Sequence, residues 1–139
     1  MVATRFAVAV HILLVLAAMP PAEATSARIA QSVNTNPVVV RRITRQLARA
    51  GLVISRRGAP GAALARGAEA ITLADIWQAV RSDGPLIALH EHPNPQCRIG
   101  CRVNAVLAPA FGEAEAALEA RLSRTTLASL LAKVCPQAA

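Results

Sequence analysis

Residues 6–19 are apolar at every position except His11. At about 100° per residue, Phe6, Val10, Leu13, Leu14 and Ala17 share one face, which predicts a buried helix. Pro20 and Pro21 end it, since proline cannot continue a helix interior. The pattern then changes. Ile29 and Val33 stand as apolar positions in a small and polar stretch, predicting a short helix over 27–32 with Thr25 or Ser26 as its cap. Asn34-Thr35-Asn36-Pro37 reads as a tight turn followed by a cap, and Pro37 falls at the first helical position, where a missing N–H costs nothing. A third helix follows over 37–50, with Gly51 as its stop. Val40, Ile43 and Leu47 gather on one of its faces, while Val38, Arg42, Arg45 and Arg49 lie opposite and Arg41 flanks them.

Past Gly51 the period shortens. Leu52-Val53-Ile54 is a short apolar run rich in β-branched residues, Arg56-Arg57-Gly58-Ala59-Pro60-Gly61 is a turn, and residues 62–65 return, so a β-hairpin with a basic tip is expected. Helical spacing resumes with Leu73, Ile76, Trp77 and Val80, capped by Thr72. Asp83-Gly84-Pro85 breaks the chain. Residues 103–123 are strongly helical in composition, with Leu107, Phe111, Ala114, Leu118 and Leu122 in a stripe. Pro109 should kink or interrupt that helix, or mark its true start. Thr125 or Thr126 can cap a last helix ending near Ala132.

Two helices joined by a short polar turn make a helix-turn-helix, and the hairpin after them supplies a wing. The sequence is therefore read as mainly α: a winged helix-turn-helix DNA-binding domain over 1–80, a loop over 81–101 and a long C-terminal dimerisation helix with a last helix over 102–139. Composition agrees. The chain is 54% hydrophobic with two Phe, one Trp and no Tyr, which favours packed helices and provides few rings on which single-stranded bases could stack.

Charge identifies the partner class. Residues 25–68 carry eight arginines (Arg28, Arg41, Arg42, Arg45, Arg49, Arg56, Arg57 and Arg66) and no acidic residue, whereas the segments on either side are close to neutral. Such a localised field calls for a polyanion. An arginine stripe usually marks a solvated face, but a merely solvated helix normally supplies Glu or Asp partners at i,i+4, and none is present here. Arginine suits guanine edges and phosphate, and an apolar side chain such as Val38 can meet a thymine methyl. Duplex DNA is the expected partner, with Val38, Arg41 and Arg42 in the major groove and Asn36 at the helix start. Arg28, Arg45 and Arg49 would hold phosphate, and Arg57 the minor groove.

The run Ser32-Val33-Asn34-Thr35-Asn36-Pro37-Val38-Val39-Val40-Arg41-Arg42, then Ala50-Gly51-Leu52-Val53 and the Arg57-Gly58 wing, strongly resemble the Rrf-two family of bacterial winged-helix regulators, in the pattern of its YwnA-like subgroup. Ile71-Thr72-Leu73-Ala74-Asp75-Ile76-Trp77, Leu89-His90, Asn94-Pro95-Gln96-Cys97, Glu113-Ala114-Glu115-Ala116-Ala117-Leu118-Glu119 and Thr125-Thr126-Leu127 extend the resemblance over nearly the whole chain. It implies a cytoplasmic homodimer, built on the long C-terminal helix, that binds a palindromic operator and usually represses. The wing departs from the pattern: the family tip is often a Gly-Gly-Gly run, whereas Gly61 is followed by Ala62-Ala63 and the hairpin looks a residue short.

Two features leave alternatives open. Arg5, the apolar run and Ala22-Glu23-Ala24 outline a secretory signal, so the competing reading is a small secreted basic binding protein with residues 1–24 as its signal peptide. Against it stand a single basic residue before the run, His11 within it and an ordered motif directly after it. The run is also shorter than the about 20 residues of a membrane span. The second feature is chemical. His90, His92, Cys97 and Cys101 lie within twelve residues and are candidates for a redox or metal sensor, or for no ligand at all. Their spacing matches no standard zinc pattern. It also departs from the three-cysteine loop of the family's iron–sulfur members, since Cys135 sits in the tail, so no iron–sulfur cluster or other cofactor is expected. Arg98 and Arg102 would favour a thiol switch. No catalytic triad, glycine-rich nucleotide loop or paired-carboxylate pocket is visible, and the chain is not read as an enzyme.

Overall fold

The computed structural model describes residues 4–55 and 58–137. Its elements are α1 (Arg5–Ala18), α2 (Ser26–Val33), α3 (Pro37–Arg49), β1 (Val53–Ile54), β2 (Ala63–Leu64), a 3-10 turn (Ala68–Ala70), α4 (Leu73–Val80), α5 (Val103–Leu122) and α6 (Leu127–Val134). They form two compact units. One comprises the residues up to Arg81 together with those from Leu122 onward, and the other is Ser82–Arg121. The last helix thus packs with the first unit, whereas the sequence grouped it with the long helix.

α1 is the hub of the first unit. It packs against α2, α3, α4, α6 and β2, as a helix apolar on all sides must if it is to leave water. Its buried positions are Ala9, Ile12, Leu13, Val15 and Leu16. Of the face expected from sequence only Leu13 is fully buried, while Phe6, Val10, Leu14 and Ala17 are partly covered. An all-round apolar pattern carries no phase, so the neighbours decide which side goes deepest. Two polar side chains on α1 bind other helices: Arg5 Nη1 donates to the Val80 carbonyl (3.1 Å), and His11 Nε2 lies 2.8 Å from Ser32 Oγ on α2. His11 therefore interrupts the apolar run because it ties α1 to α2.

β1 and β2 pair antiparallel, Val53 with Leu64 and Ile54 with Ala63, which is the expected wing in a shorter form. α4 opens with a capping box: Asp75 N–H donates to Thr72 Oγ1, and Thr72 N–H to Asp75 Oδ2. Ile76, Trp77 and Val80 are buried and Leu73 is half-buried. Trp77 meets Phe6 edge to face, with ring centroids 5.3 Å apart. α6 is capped by Thr126 and joined to the start of α4 by a backbone bridge, with Leu73 N–H donating to Thr125 O (2.9 Å) and Leu127 N–H to Ile71 O (2.8 Å).

In the second unit α5 starts at Val103 and runs through Pro109. Proline leaves the Ala105 carbonyl without its i+4 donor. Ala105 is exposed, so water can take that bond and the helix need not break. No residue of α5 is buried: Leu107, Phe111, Leu118 and Leu122 are half-buried and Ala114 is exposed. Ile87 N–H donates to Glu115 Oε1 (2.9 Å) and Asn104 Nδ2 to the His90 carbonyl (2.9 Å), fastening the preceding loop to the helix. No helix among the described residues is long and apolar enough to cross a membrane.

Two glycines carry different constraints. Gly51, at φ +78°, ends α3, and an added Cβ there meets nothing. Gly61, at φ +77°, brings the wing backbone against the Pro21 carbonyl, where a Cβ would collide. Gly51→Ala should lower stability by about 1–2 kcal/mol in a denaturant titration, from left-handed backbone strain alone. Gly61→Ala should instead displace the wing, seen as faster trypsin cleavage within residues 55–62, a change that Gly51→Ala should not produce.

Candidate nucleic-acid interface

The helix-turn-helix is built by three consecutive residues between α2 and α3. Asn34 takes the left-handed conformation (φ 64°, ψ 52°) at the end of α2, a role asparagine tolerates better than most residues. Thr35 N–H then reaches back to the Ala30 carbonyl (2.9 Å). Asn36 is extended, and its Oδ1 accepts the Val38 N–H at 2.7 Å, with Pro37 opening α3. Thr25 caps α2 by accepting from Arg28 N–H. Each of these local choices agrees with the next, so the angle between the helices is set within the motif.

Val40, Ile43 and Leu47 of α3 are buried, with exposures of 0, 3 and 0%. Each contributes roughly 1.5–3 kcal/mol by leaving water, and together they fix the rotation of the helix. At the far end the Leu52 N–H donates to the Leu47 carbonyl (3.0 Å) and both side chains enter the core, the apolar contact that accompanies such a stop. With that face held, Arg41, Arg42, Arg45 and Arg49 are exposed and Val38 is 51% exposed. Arg28 is exposed on α2.

None of these five arginines has an ion-pair partner among the described residues. Arg66 differs. Its Nη2 lies 3.1 Å from Asp75 Oδ2, the carboxylate that also caps α4. Among its described residues the acid-free block thus contains one arginine paired from just outside it, which a residue count could not separate from the rest. Asn36 also changes character: its Oδ1 is occupied by the cap, leaving the Nδ2 amide as its free donor. Arg57 lies outside the described residues. Beside the wing, Pro21, Ile54, Ala59, Pro60, Gly61 and Ala63 line an apolar groove of about 250 Å³.

The proposed sensor cluster is only partly assembled. No group of three or more His, Cys, Asp or Glu side chains is placed to hold a metal ion among the described residues, so His90, His92, Cys97 and Cys101 do not form one ligand set. His92 lies 4.0 Å from Glu91, and the His90 carbonyl is taken by Asn104. The two cysteines do share a turn, in which Cys101 N–H donates to the Cys97 carbonyl at 3.0 Å. Both are exposed free thiols.

Residues 2–133 match the family model described as "Rrf2: Iron-dependent Transcriptional regulator". The chain belongs to the Rrf2 (Rrf-two) family. It is 38% identical over 131 residues to the Putative HTH-type transcriptional regulator YwnA of Bacillus subtilis (strain 168), covering 94% of this chain and 97% of that one. Among solved structures it is similar to one described as a putative DNA binding protein, with TM-score 0.77, 35% identity and 91% and 98% of the two chains covered. T. potens IscR shares the fold, with TM-score 0.71, 22% identity and 100% and 92% covered. This Rrf2 protein is accordingly a DNA-binding transcriptional regulator. The secreted alternative finds no support: the segment it would remove includes α1, which supplies the centre of the core and lies within the family match.

Because Asn36 is the cap of α3, Asn36→Ala should cost about 1 kcal/mol of stability, whereas Asn36→Asp or Asn36→Ser should restore most of it. Chemical denaturation of the three variants checks this, and equal stability of Ala and Ser variants would remove the capping role.

Proposed function

We propose that this regulator represses transcription by binding a palindromic operator as a homodimer in the cytoplasm. The observation that carries the reading is the outward, acid-free arginine face of α3 opposite a fully buried apolar face. Val38, Arg41 and Arg42 enter the major groove and read base edges, with Asn36 contributing through its Nδ2 amide. Arg28, Arg45 and Arg49 grip phosphate, and Arg57 extends from the wing toward the minor groove.

The dimer reading rests on the second unit. No residue of its long helix is more than half-buried, and Leu86, Ile87, Ile99 and Val106 are 41, 38, 74 and 67% exposed there. Covering such a surface with the same surface of a second copy gives a closed, isologous pair, and two recognition helices then meet a two-fold symmetric site. In this organisation residues 1–80, with the last helix packed among them, bind DNA, 81–101 sense, and the long helix within 102–139 carries the dimer. The inducing signal reaches the protein through thiols of the sensing loop rather than through a bound metal, because the histidines and cysteines do not converge.

Duplex binding measured across a salt series should lose affinity steeply, with each phosphate-gripping arginine contributing about one unit of the log–log slope. Arg45→Ala or Arg49→Ala should weaken all sequences alike and reduce that slope. Arg42→Ala should cost about 1–3 kcal/mol and relax preference at one operator position. A salt-independent affinity would remove the DNA face, and sedimentation as a monomer on a single half-site would remove the dimer.

A further inference from the structure

We infer that Cys97 and Cys101 are a hydroperoxide-reactive dithiol site, in which Cys97 is the attacking sulfur, Cys101 resolves it, and the product is an intrachain disulfide. This deepens the thiol response of the proposed function and rests on that reading only for its effect on DNA.

The site stands first on its backbone. Residues 97–102 form a hydrogen-bonded turn that runs into α5. Cys101 N–H donates to Cys97 O, Arg102 N–H and Val103 N–H both donate to Ile99 O at 3.0 Å, and Val106 N–H donates to Arg102 O. The two cysteines are therefore one turn apart on adjoining levels. Gly100 lets that turn close against the Asn94 carbonyl, where any Cβ would collide. The Asn94 carbonyl also accepts the Cys97 N–H (3.2 Å), and Asn94 Oδ1 accepts the Gln96 N–H (2.9 Å). The thiols are thus presented on a braced turn and both are open to solvent.

The two sulfurs have unlike surroundings. Hydrogen bonds from the backbone N–H groups of Gly100 and then Ile99 hold the Cys97 pKa below the ordinary thiol value. The Cys101 thiol instead donates to the Arg98 carbonyl at 3.4 Å. The Cys97 sulfur is thereby favoured as the thiolate, which is the nucleophilic form. Cys135 belongs to the other unit, where it is half-buried at the end of α6.

The steps balance with a hydroperoxide, ROOH, as oxidant. The Cys97 thiolate attacks the terminal peroxide oxygen, the O–O bond breaks, and the alkoxide leaves and takes a proton, giving Cys97 sulfenic acid and ROH. Cys101 then attacks the Cys97 sulfur, its proton and the sulfenic hydroxyl depart as water, and the S–S bond forms. The two thiols lose two electrons and the peroxide gains them. Closure has a structural consequence. Side chains at i and i+4 of a helical turn have Cβ atoms about 5–6 Å apart, whereas a disulfide needs roughly 3.5–4.5 Å. The bond therefore cannot form without distorting the turn, and the bond from Cys101 N–H to Cys97 O, immediately ahead of α5, is the first to yield.

The test uses the full, reduced protein and hydrogen peroxide. After trypsin without reductant, cleavage at Arg98 and Arg102 separates the two cysteines into different peptides, so the disulfide appears as a peptide ending at Arg98 joined to the peptide 99–102. Cys101→Ser should abolish the joined peptide and leave Cys97 trapped by dimedone, while Cys97→Ser should leave Cys101 unlabelled at the same dose. Backbone amides of residues 101–106 should exchange faster in the oxidised protein than in the reduced one. The inference is overturned if Cys97 of the unsubstituted protein takes dimedone without forming the joined peptide, or if Cys97 or Cys101 links to Cys135 or to a second chain instead. These readouts do not involve DNA. Reduced protein that fails to bind duplex DNA sinks the proposed function alone, and a missing disulfide in a protein that binds normally sinks the dithiol site alone.

Discussion

The packing of α3 against the apolar hub made by α1 is the constraint on which the DNA-binding unit depends. Val40, Ile43 and Leu47 are held in a core shared with Ile12, Leu13, Leu52, Ile76 and Leu127. A helix fixed along three buried residues has one available rotation, and the arginines then have one direction to point. Their exposure is thus a consequence of apolar burial on the opposite side. The same hub explains why α1 cannot be spared: α2, α3, α4, α6 and β2 pack around it, Arg5 ties its start to α4 and His11 ties its middle to α2.

Electrostatics operates on top of that arrangement. Five exposed arginines on two helices share no carboxylate among the described residues, so the unit stores a repulsion that solvent and salt only partly screen. A duplex relieves it by supplying phosphates at close range and releasing its own counterions. Arg66 shows the contrast. Its pairing with Asp75 places it within the capping network of α4, where it supports the fold, and removes it from the free positive surface.

Much of the architecture was legible locally. Three inward positions at helical spacing identified the buried face of α3, because a mixed apolar and charged pattern has a definite phase. Thr25, Asn36, Thr72 and Thr126 all cap the helices that follow them, since a cap is an interaction within four residues. The wing was legible for the same reason, as two short apolar runs around a glycine-rich turn. Illegible features were those in which the pattern had no phase or the partner was remote. α1 is apolar on every side, so its deepest face was misassigned. Pro109 looked like a break, yet Ala105, whose carbonyl loses its donor, is an exposed residue, so water can replace the bond. Gly61 looked like ordinary turn chemistry, whereas its lack of a side chain is required by Pro21, forty residues away.

By itself, the sequence determined the partner class and the motif. Charge count, helical phase and caps are carried by neighbouring residues, and they suffice to write a helix-turn-helix with a basic outer face. The family resemblance followed from those same residues. Only the tertiary structure decided that Arg66 is paired with Asp75, that the last helix joins the DNA-binding unit, and that Cys97 and Cys101 share a turn while the two histidines do not complete a ligand set with them. Each of these turns on side chains or backbone groups brought together in space, and composition along a chain holds no record of such distances.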